Sequence, residues 1–227
     1  MAKWQINPAE YLKRVDLDII KLLGLPELEE VSRIVPMRDI RRIISLVPIQ
    51  FEVLTHLVKK IKTLDGRYPF LNSEVKLIKT DPNHLKVGQK YIFREKYQNL
   101  MEEMPSIFDP FAITSGGLAN VGAYFVFGLN GGNGLSMACY LPPIIELHGD
   151  KFLVMDGIHR NFIFKQADSC PLSIHISNID LPFPCSPHNW SETKIICLSA
   201  KPEKIEDRYF DLQPELFRDL KYLGIDG

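Results

Sequence analysis

The residues best suited to chemistry stand together at Asp156–Arg160, which reads Asp-Gly-Ile-His-Arg. The apolar run Lys151–Met155 before them predicts a strand, and the spacing of Ile158, Phe162 and Ile163 predicts a helix after them. A strand that turns through Asp-Gly directly into a helix leaves the first helical N–H groups without acceptors, at the positive end of the helix dipole. Such a helix start readily binds anions, so the sequence predicts a phosphate-binding turn.

Each residue of this turn has a role that its chemistry suggests. Gly157 lets the backbone approach a phosphate, and the N–H groups of Ile158 and His159 donate to it. Arg160 neutralises phosphate charge with its planar guanidinium. His159 also can move a proton, which makes it a candidate catalytic residue. Asp156 is the second catalytic candidate, because a carboxylate beside a phosphate must turn away, hold Mg²⁺ or take part in the reaction.

A purely structural interpretation of the same turn stays open. Asp is a good N-cap residue, so Asp156 would cap the helix while His159 and Arg160 face water. Among the other acidic residues, Glu146 follows the strand that begins at proline and is an acid/base candidate if it lies beside the turn, although a glutamate at a strand end is usually solvated. Asp39 ranks below Asp156 as a catalytic acid. The sequence alone does not pair the remaining glutamates.

The stretch around the turn resembles the core of the ParB/sulfiredoxin-like superfamily. There, a strand that begins at proline, a tight hairpin and a second strand lead into a Gly-x-x-Arg signature that opens a helix. Pro142–Leu147, the hairpin residues His148–Asp150 and the run Lys151–Ala167 follow this order, and positions 156–160 match the Asp-Gly-x-His-Arg version. The resemblance is confined mainly to Leu141–Ile179.

The resemblance implies a nucleotide cofactor, since similar proteins hold CTP, ATP or ADP with this segment. In the free-serine kinases of this group, acidic residues activate a substrate hydroxyl, which is the role that Asp156 would take. The resemblance therefore implies ATP, ADP or CTP as the cofactor, with Mg²⁺ as an option through Asp156 and no other metal. Sulfiredoxin chemistry is excluded, because Ile158 stands where that reaction needs a cysteine.

The expected fold is α+β: a small mixed β-sheet with packed helices, ParB/sulfiredoxin-like, with a large central insertion. We expect one decorated domain over residues 1–227. Its parts are a helical N-terminal extension at 1–30, an insertion at 71–140, the signature core at 141–180 and a charged C-terminal tail at 200–227. The insertion is expected because about seventy residues separate Pro69 from Pro142, where the family pattern places a helix directly before the strand. The alternative is that the N-terminal third of the chain does not belong to the family pattern.

Periodicity and turn residues predict the individual elements. Helices are expected at Pro8–Leu23, Arg41–Leu46, Pro48–Leu64, Tyr97–Met104 and Pro214–Leu223. Strands are expected at Val31–Val35, Val75–Ile78, Lys90–Phe93, Val121–Leu129, Pro171–Ile179 and Ile195–Leu198. The glycines of Asn130–Gly134 favour a hairpin loop, with a ligand-closing loop as the alternative.

Composition limits the function classes. The 227 residues are 45% hydrophobic and 24% charged, with a formal net charge of −1. A protein bound permanently to nucleic acid usually has a basic excess, so a nucleic-acid partner is open but not favoured. The N-terminus has no apolar signal core and no apolar run reaches membrane-spanning length, which predicts a cytoplasmic protein without a membrane partner. A homo-oligomer stays open.

Cysteine and histidine spacing gives a weak zinc pattern, Cys170-x4-His175-x9-Cys185-x2-His188. Zinc sites usually place their ligands in tight pairs, and only Cys185 and His188 have such spacing. Ordinary core cysteines, with Cys170 buried beyond the helix, and surface histidines are therefore expected instead.

Three functions are consistent with these observations. The leading one is nucleotide binding with phosphoryl transfer or nucleotide hydrolysis on a small substrate. The second is a ParB-like nuclease or DNA-associated protein, in which Arg160 and His159 would face a phosphodiester. The third is a non-catalytic protein-interaction module, which would bury these two side chains in ordinary pairs.

Overall fold

The computed structural model describes residues 5–16, 30–111, 113, 117–130 and 134–225. The contacts of the chain gather into two compact units. The first comprises Met1–Lys62, Gly122–Leu141 and Asp219–Gly227, and the second comprises Thr63–Val121 and Pro142–Arg218. The single decorated domain over residues 1–227 stays a prediction. Among the described residues, no helix combines the length and the apolar character needed to cross a membrane.

The α-helices of the described chain are α1 Pro8–Val15, α2 Phe51–Lys59, α3 Arg94–Phe108 and α4 Ile158–Gln166. Asn7 caps α1, because its side-chain oxygen accepts the N–H of Ala9. The helix predicted at Pro8–Leu23 is confirmed over α1, and its residues 17–23 lie outside the described residues. The segment predicted at Pro48–Leu64 is shorter in the structure, where it forms α2.

The strands follow the chain in this order: β1 Arg33–Ile34, β2 Arg42–Pro48, β3 Lys62–Thr63, β4 Glu74–Lys79, β5 Lys86–Val87, β6 Tyr91–Phe93, β7 Tyr124–Leu129, β8 Leu135–Tyr140, β9 Ile144–His148, β10 Lys151–Asp156, β11 Leu172–Ser177, β12 Lys194–Ile196 and β13 Arg218–Asp219. Two of the pairs are short: β12 with β6, and β13 with β3. Both helices and strands are therefore present, in several small sheets.

The first unit contains a four-stranded sheet of order β1-β8-β7-β2. Strands β7 and β8 are antiparallel neighbours, and the residues 131–133 between them lie outside the described residues. The helix predicted at Arg41–Leu46 is wrong, because this segment belongs to β2 and pairs antiparallel with β7. Its β-branched residues Ile43, Ile44 and Val47 favour such extended backbone.

The second unit contains a mixed five-stranded sheet of order β4-β11-β9-β10-β5. Strand β9 is antiparallel to β10 and parallel to β11, and β11 is antiparallel to β4. A core of apolar side chains covers this sheet where α4 packs, and it consists of Leu85, Val87, Ile92, Ile145, Val154 and Ile158. The coarse α+β prediction with a small mixed sheet agrees with this arrangement.

The segment predicted as an insertion, residues 71–140, supplies strands to both sheets. Its strands β4 and β5 lie at the two edges of the five-stranded sheet, and β7 and β8 lie in the four-stranded sheet. Strands predicted at Val75–Ile78 and Lys90–Phe93 correspond to β4 and β6.

The C-terminal tail is more extended than its apolar spacing predicts. The helix expected at Pro214–Leu223 is wrong, because β13 separates two short 3₁₀ turns, Pro214–Leu216 and Leu220–Leu223. The side chain of Arg218 supplies the reason, since its guanidinium reaches Glu146 in the sheet and Leu216 O in the tail. These bonds hold the chain extended at the position where a helix would continue.

Candidate functional site

The turn between β10 and α4 has the geometry that the sequence predicts. Gly157 is the N-cap residue of α4, with φ 79° and ψ 29° in the left-handed region. A Cβ atom at this position would lie 3.0 Å from the Cα of Pro143 and 3.0 Å from Nη2 of Arg160. Both the backbone conformation and the close approach of Pro143 therefore require glycine here.

The two charged ends of the motif bind each other. Nη2 of Arg160 donates to Oδ2 of Asp156, four residues earlier in the chain, at 2.9 Å, and both side chains are buried. Arg160 makes a further interaction as well. Asp156 does not cap the helix through its side chain. The carboxylate that would repel a phosphate is instead neutralised by Arg160.

The N-terminal end of α4 leaves its first N–H groups unused. Asn161 is the first intrahelical donor, and its N–H binds the carbonyl oxygen of Gly157 at 2.9 Å. Ile158 and His159 precede this donor, and within the described part of the chain their N–H groups have no acceptor. The pair of donors expected for a phosphate is therefore present at the start of the helix.

His159 is held as a neutral ring. Its Nε2 accepts the N–H of Phe93 at 3.0 Å, so the ring proton sits on Nδ1. The imidazole also stacks on the Phe93 ring, with centroids 5.8 Å apart and an interplanar angle of 25°. Burial, together with the positive charges of Lys96, Arg160 and Lys201, lowers the pKa of His159 to about 3. Nδ1–H remains as a hydrogen-bond donor, whereas the Nε2 lone pair is occupied.

Two lysines that sequence reasoning missed complete a positive cluster. Nζ of Lys96 lies 5.9 Å and Nζ of Lys201 5.7 Å from the centroid of the Phe93 ring. Lys96 comes from the first turn of α3, and Lys201 ends a 3₁₀ turn that follows β12. No local pattern could have linked them to His159, because both lysines lie far from the motif along the chain.

The residues of the zinc pattern are not brought together. Cys170 is exposed, which makes the expectation of a buried Cys170 wrong, and Cys185 is buried. Nε2 of His175 hydrogen-bonds Oγ1 of Thr80 at 2.6 Å, and Nδ1 of His188 contacts Glu192 at 2.7 Å. Among the described residues, no group of three His, Cys, Asp or Glu side chains is placed to hold a metal ion.

The magnesium option at Asp156 has no support in this geometry, because the carboxylate binds Arg160 and no second acidic ligand joins it among the described residues. Asp39, the lower-ranked acid, is buried in the 3₁₀ turn Met37–Asp39 of the first unit.

Glu146 is a second residue whose surroundings differ from those expected. It is fully buried, and its two oxygens accept Nε and Nη2 of Arg218 at 2.7 and 2.9 Å. Arg218 also donates to the carbonyl oxygens of Leu216 and Pro182. The prediction of a solvated Glu146 is therefore wrong, because a cation from the C-terminal tail replaces water around the carboxylate.

Comparisons of the chain with protein-family models, curated proteins and solved structures find no match. The candidate site therefore depends on the residues and the geometry described above.

Proposed function

We propose that this chain binds a nucleotide, and that the phosphates bind at the start of α4. The observation that carries this proposal is the convergence of Lys96 and Lys201 on His159, beside a helix start whose first N–H donors have no acceptor among the described residues. Three kinds of anion recognition meet here: backbone N–H groups, the helix dipole and ammonium side chains. Such a combination is suited to a phosphate group.

In this proposal, the motif residues have roles that differ from those expected from the sequence. The N–H groups of Ile158 and His159 and the Nδ1–H of His159 would donate to the phosphate, and the two lysines would neutralise it. Gly157 keeps the backbone open to close approach. Arg160 acts indirectly, because its bond to Asp156 removes a repulsive charge from the site.

The reaction class in this proposal is phosphoryl transfer or nucleotide hydrolysis on a small substrate, with ATP, ADP or CTP as the nucleotide. It retains the ParB/sulfiredoxin-like assignment, which the order β9, β10, turn, α4 and β11 supports. Asp156 would act as a catalytic carboxylate only after it exchanges Arg160 for the substrate hydroxyl. His159 is a binding residue in this scheme, because its pKa of about 3 keeps it neutral.

A second candidate function is a non-catalytic module that binds a protein partner. The buried Asp156–Arg160 pair favours it, since this pair accounts for both charged residues of the motif without any ligand. In this alternative, the turn serves only to join β10 to α4.

A thermal-shift panel tests the proposal with ATP, ADP, CTP, GTP and inorganic phosphate, each with and without Mg²⁺. A ligand at one hundred times its Kd stabilises the native state by about 2.7 kcal/mol, which raises the Tm by several degrees. We expect a nucleotide-dependent rise for the wild type, which is lost in Lys96→Ala/Lys201→Ala. The matched control is Lys76→Ala/Lys79→Ala, which removes the same charge from β4.

Each result has a defined meaning. If the rise disappears only in the Lys96/Lys201 variant, the phosphate site is established, and a product assay with candidate hydroxyl substrates then tests turnover. If no nucleotide shifts the Tm of the wild type, nucleotide binding is wrong and the protein-partner alternative takes its place. Equal losses in both double variants would mean that the effect follows total charge and not this cluster.

A further inference from the structure

The second unit has a cleft with aromatic walls along the later turns of α4. It encloses about 310 Å³, and Ile92, Phe162, Trp190, Lys165, Thr193 and Ile195 are among its lining residues. Ile92 is buried beneath it, whereas Ile195 is 46% exposed beside it. Apolar surface with a few polar groups at the edge is the usual composition of a small-molecule site.

The aromatic walls are fixed before any ligand binds. Trp190 donates its indole N–H to the carbonyl oxygen of Pro82 at 2.8 Å, which holds the ring in one orientation. Phe162 lies between Tyr97 and Trp190, with ring centroids 5.4 and 6.4 Å away. Rings held in this way lose little conformational entropy when a flat group stacks on them.

The cleft and the phosphate site share α4. Phe162 and Gln166 follow His159 by three and seven residues, which places all three on one side of the helix. At 1.5 Å per residue, these positions lie about 5–10 Å along the helix axis from His159. This is the range over which a nucleotide extends from its phosphates to its base. Strand β6 also connects the two places, because Ile92 lines the cleft and the next residue, Phe93, donates its N–H to His159.

We infer that this cleft receives the base of the nucleotide whose phosphates bind at the start of α4. The inference rests on the proposed function and adds the position of the nucleotide base. Phe162 and Trp190 supply stacking surfaces, and Lys165 and Thr193 supply polar groups for the edge of the base. Bases stack on aromatic side chains regardless of their identity, so the cleft contributes affinity and its polar edge contributes selectivity.

Trp190 provides a direct signal for the test. The chain contains two tryptophans, so Trp4→Phe leaves Trp190 as the reporter. Its fluorescence is followed during titration with ATP, CTP, GTP and tripolyphosphate, which carries the phosphates without a base. We expect a nucleotide to quench Trp190 and to bind about tenfold more tightly than tripolyphosphate, as one base–aromatic stack allows. Tripolyphosphate binding is measured by calorimetry.

The variant Ile195→Asp places a charge in the cleft at an exposed position. It should reduce nucleotide affinity to that of tripolyphosphate and leave tripolyphosphate affinity unchanged. Ile78→Asp is the matched control, because Ile78 has a similar exposure of 42% on β4 and does not line the cleft.

The outcomes separate this inference from the proposed function. If tripolyphosphate and nucleotides bind equally and Trp190 is not quenched, the cleft does not receive the base, although the phosphate site stands. The same conclusion follows if Ile195→Asp and Ile78→Asp bind nucleotides as the Trp4→Phe parent does. If neither tripolyphosphate nor any nucleotide binds, both the proposed function and this inference are wrong.

Discussion

Gly157 is the residue of the turn with the least freedom to change. It needs a positive φ, which an L side chain adopts only with strain, and it also lies against Pro143. These two demands have separate energetic costs. Gly66 makes the comparison possible, because its φ is 89° and a Cβ there would have no heavy atom within 4 Å.

The first prediction compares alanine at these two glycines. Gly66→Ala should lower the free energy of unfolding by about 1 kcal/mol, which is the cost of placing alanine in the left-handed region. Gly157→Ala carries the same cost and also forces Pro143 or Arg160 to shift, so we expect a loss of about 2–4 kcal/mol. Urea denaturation measures both. Equal losses of unfolding free energy in the two variants would mean that the close approach of Pro143 does not add to the cost of Gly157→Ala.

Residue types and spacing predicted part of the site. The Asp-Gly-Ile-His-Arg turn could be found from sequence because a strand pattern, a glycine and a helix pattern follow one another directly. Its internal ion pair could not, because an Asp and an Arg four residues apart are equally compatible with exposure to water. Lys96 and Lys201 left no local signal, since a lysine near a helix start or in a loop is usually a solvated surface residue.

Strand β11 is an element whose buried face is not purely apolar. It carries His175, whose ring lies against Phe152 and whose Nε2 binds Thr80. Burial lowers the pKa of His175 to about 4, and burial together with three nearby cations lowers that of His159 to about 3. Both rings must therefore stay neutral while the sheet is folded, whereas in the unfolded chain they protonate near pH 6.5.

The second prediction concerns acid stability. Because the folded-state pKa values lie below the unfolded value, the unfolded chain binds more protons as the pH falls from about 6.5 toward 4. The free energy of unfolding should therefore decrease over this range, by up to about 1.4 kcal/mol per pH unit for each histidine. Urea denaturation at pH 7.5, 6 and 5 measures the slope.

Variants of single histidines show which ring causes the loss of stability at acid pH. His175→Gln should make the dependence on pH shallower, whereas His84→Gln should not, because the His84 side chain is 82% exposed. A slope that is unchanged in His175→Gln would show that this ring titrates in the folded protein as it does in water. His159→Gln should likewise make the pH dependence of the free energy of unfolding shallower.

Elements with a clear hydrophobic periodicity could be predicted better than elements whose backbone form depends on contacts with residues far along the chain. Strand β10 and helix α4 follow from an apolar run and helical spacing, whereas the β9–β10 hairpin is expected from the family resemblance. The pattern of Arg41–Leu46 favours a helix, but its extended form depends on pairing with β7, about eighty residues later. The tail segment around β13 was likewise assigned to a helix, because nothing near Arg218 indicates that Glu146 binds it.

At the scale of the whole molecule, each compact unit is assembled from separate parts of the chain. The second unit takes β4 and β5 from before residue 122 and β9 to β11 from after residue 141. These strands are mutually dependent, since β4 and β5 cover the two edges of the sheet. The mixed α+β class could be predicted from alternating patterns, but this interleaving could not, because it is a property of long-range strand pairing.

The third prediction follows from that interleaving. A fragment comprising Pro142–Arg218 alone should remain unfolded, because β11 loses its partner β4 over six residue pairs and β10 loses β5. Far-UV circular dichroism and amide NMR dispersion of the fragment provide the measurement, with the full chain as the control. A dispersed spectrum and a cooperative urea transition would contradict the prediction.

The bond between Glu146 and Arg218 has a consequence for how the protein is made. The two residues are separated by 72 positions, so the carboxylate of Glu146 is synthesised long before the cation that it requires. At about 5–20 residues per second, the ribosome needs about 4–14 s to add the intervening chain. During this interval, the central strand β9 carries a buried position that no partner yet neutralises. The five-stranded sheet therefore completes its core only after Arg218 has been synthesised.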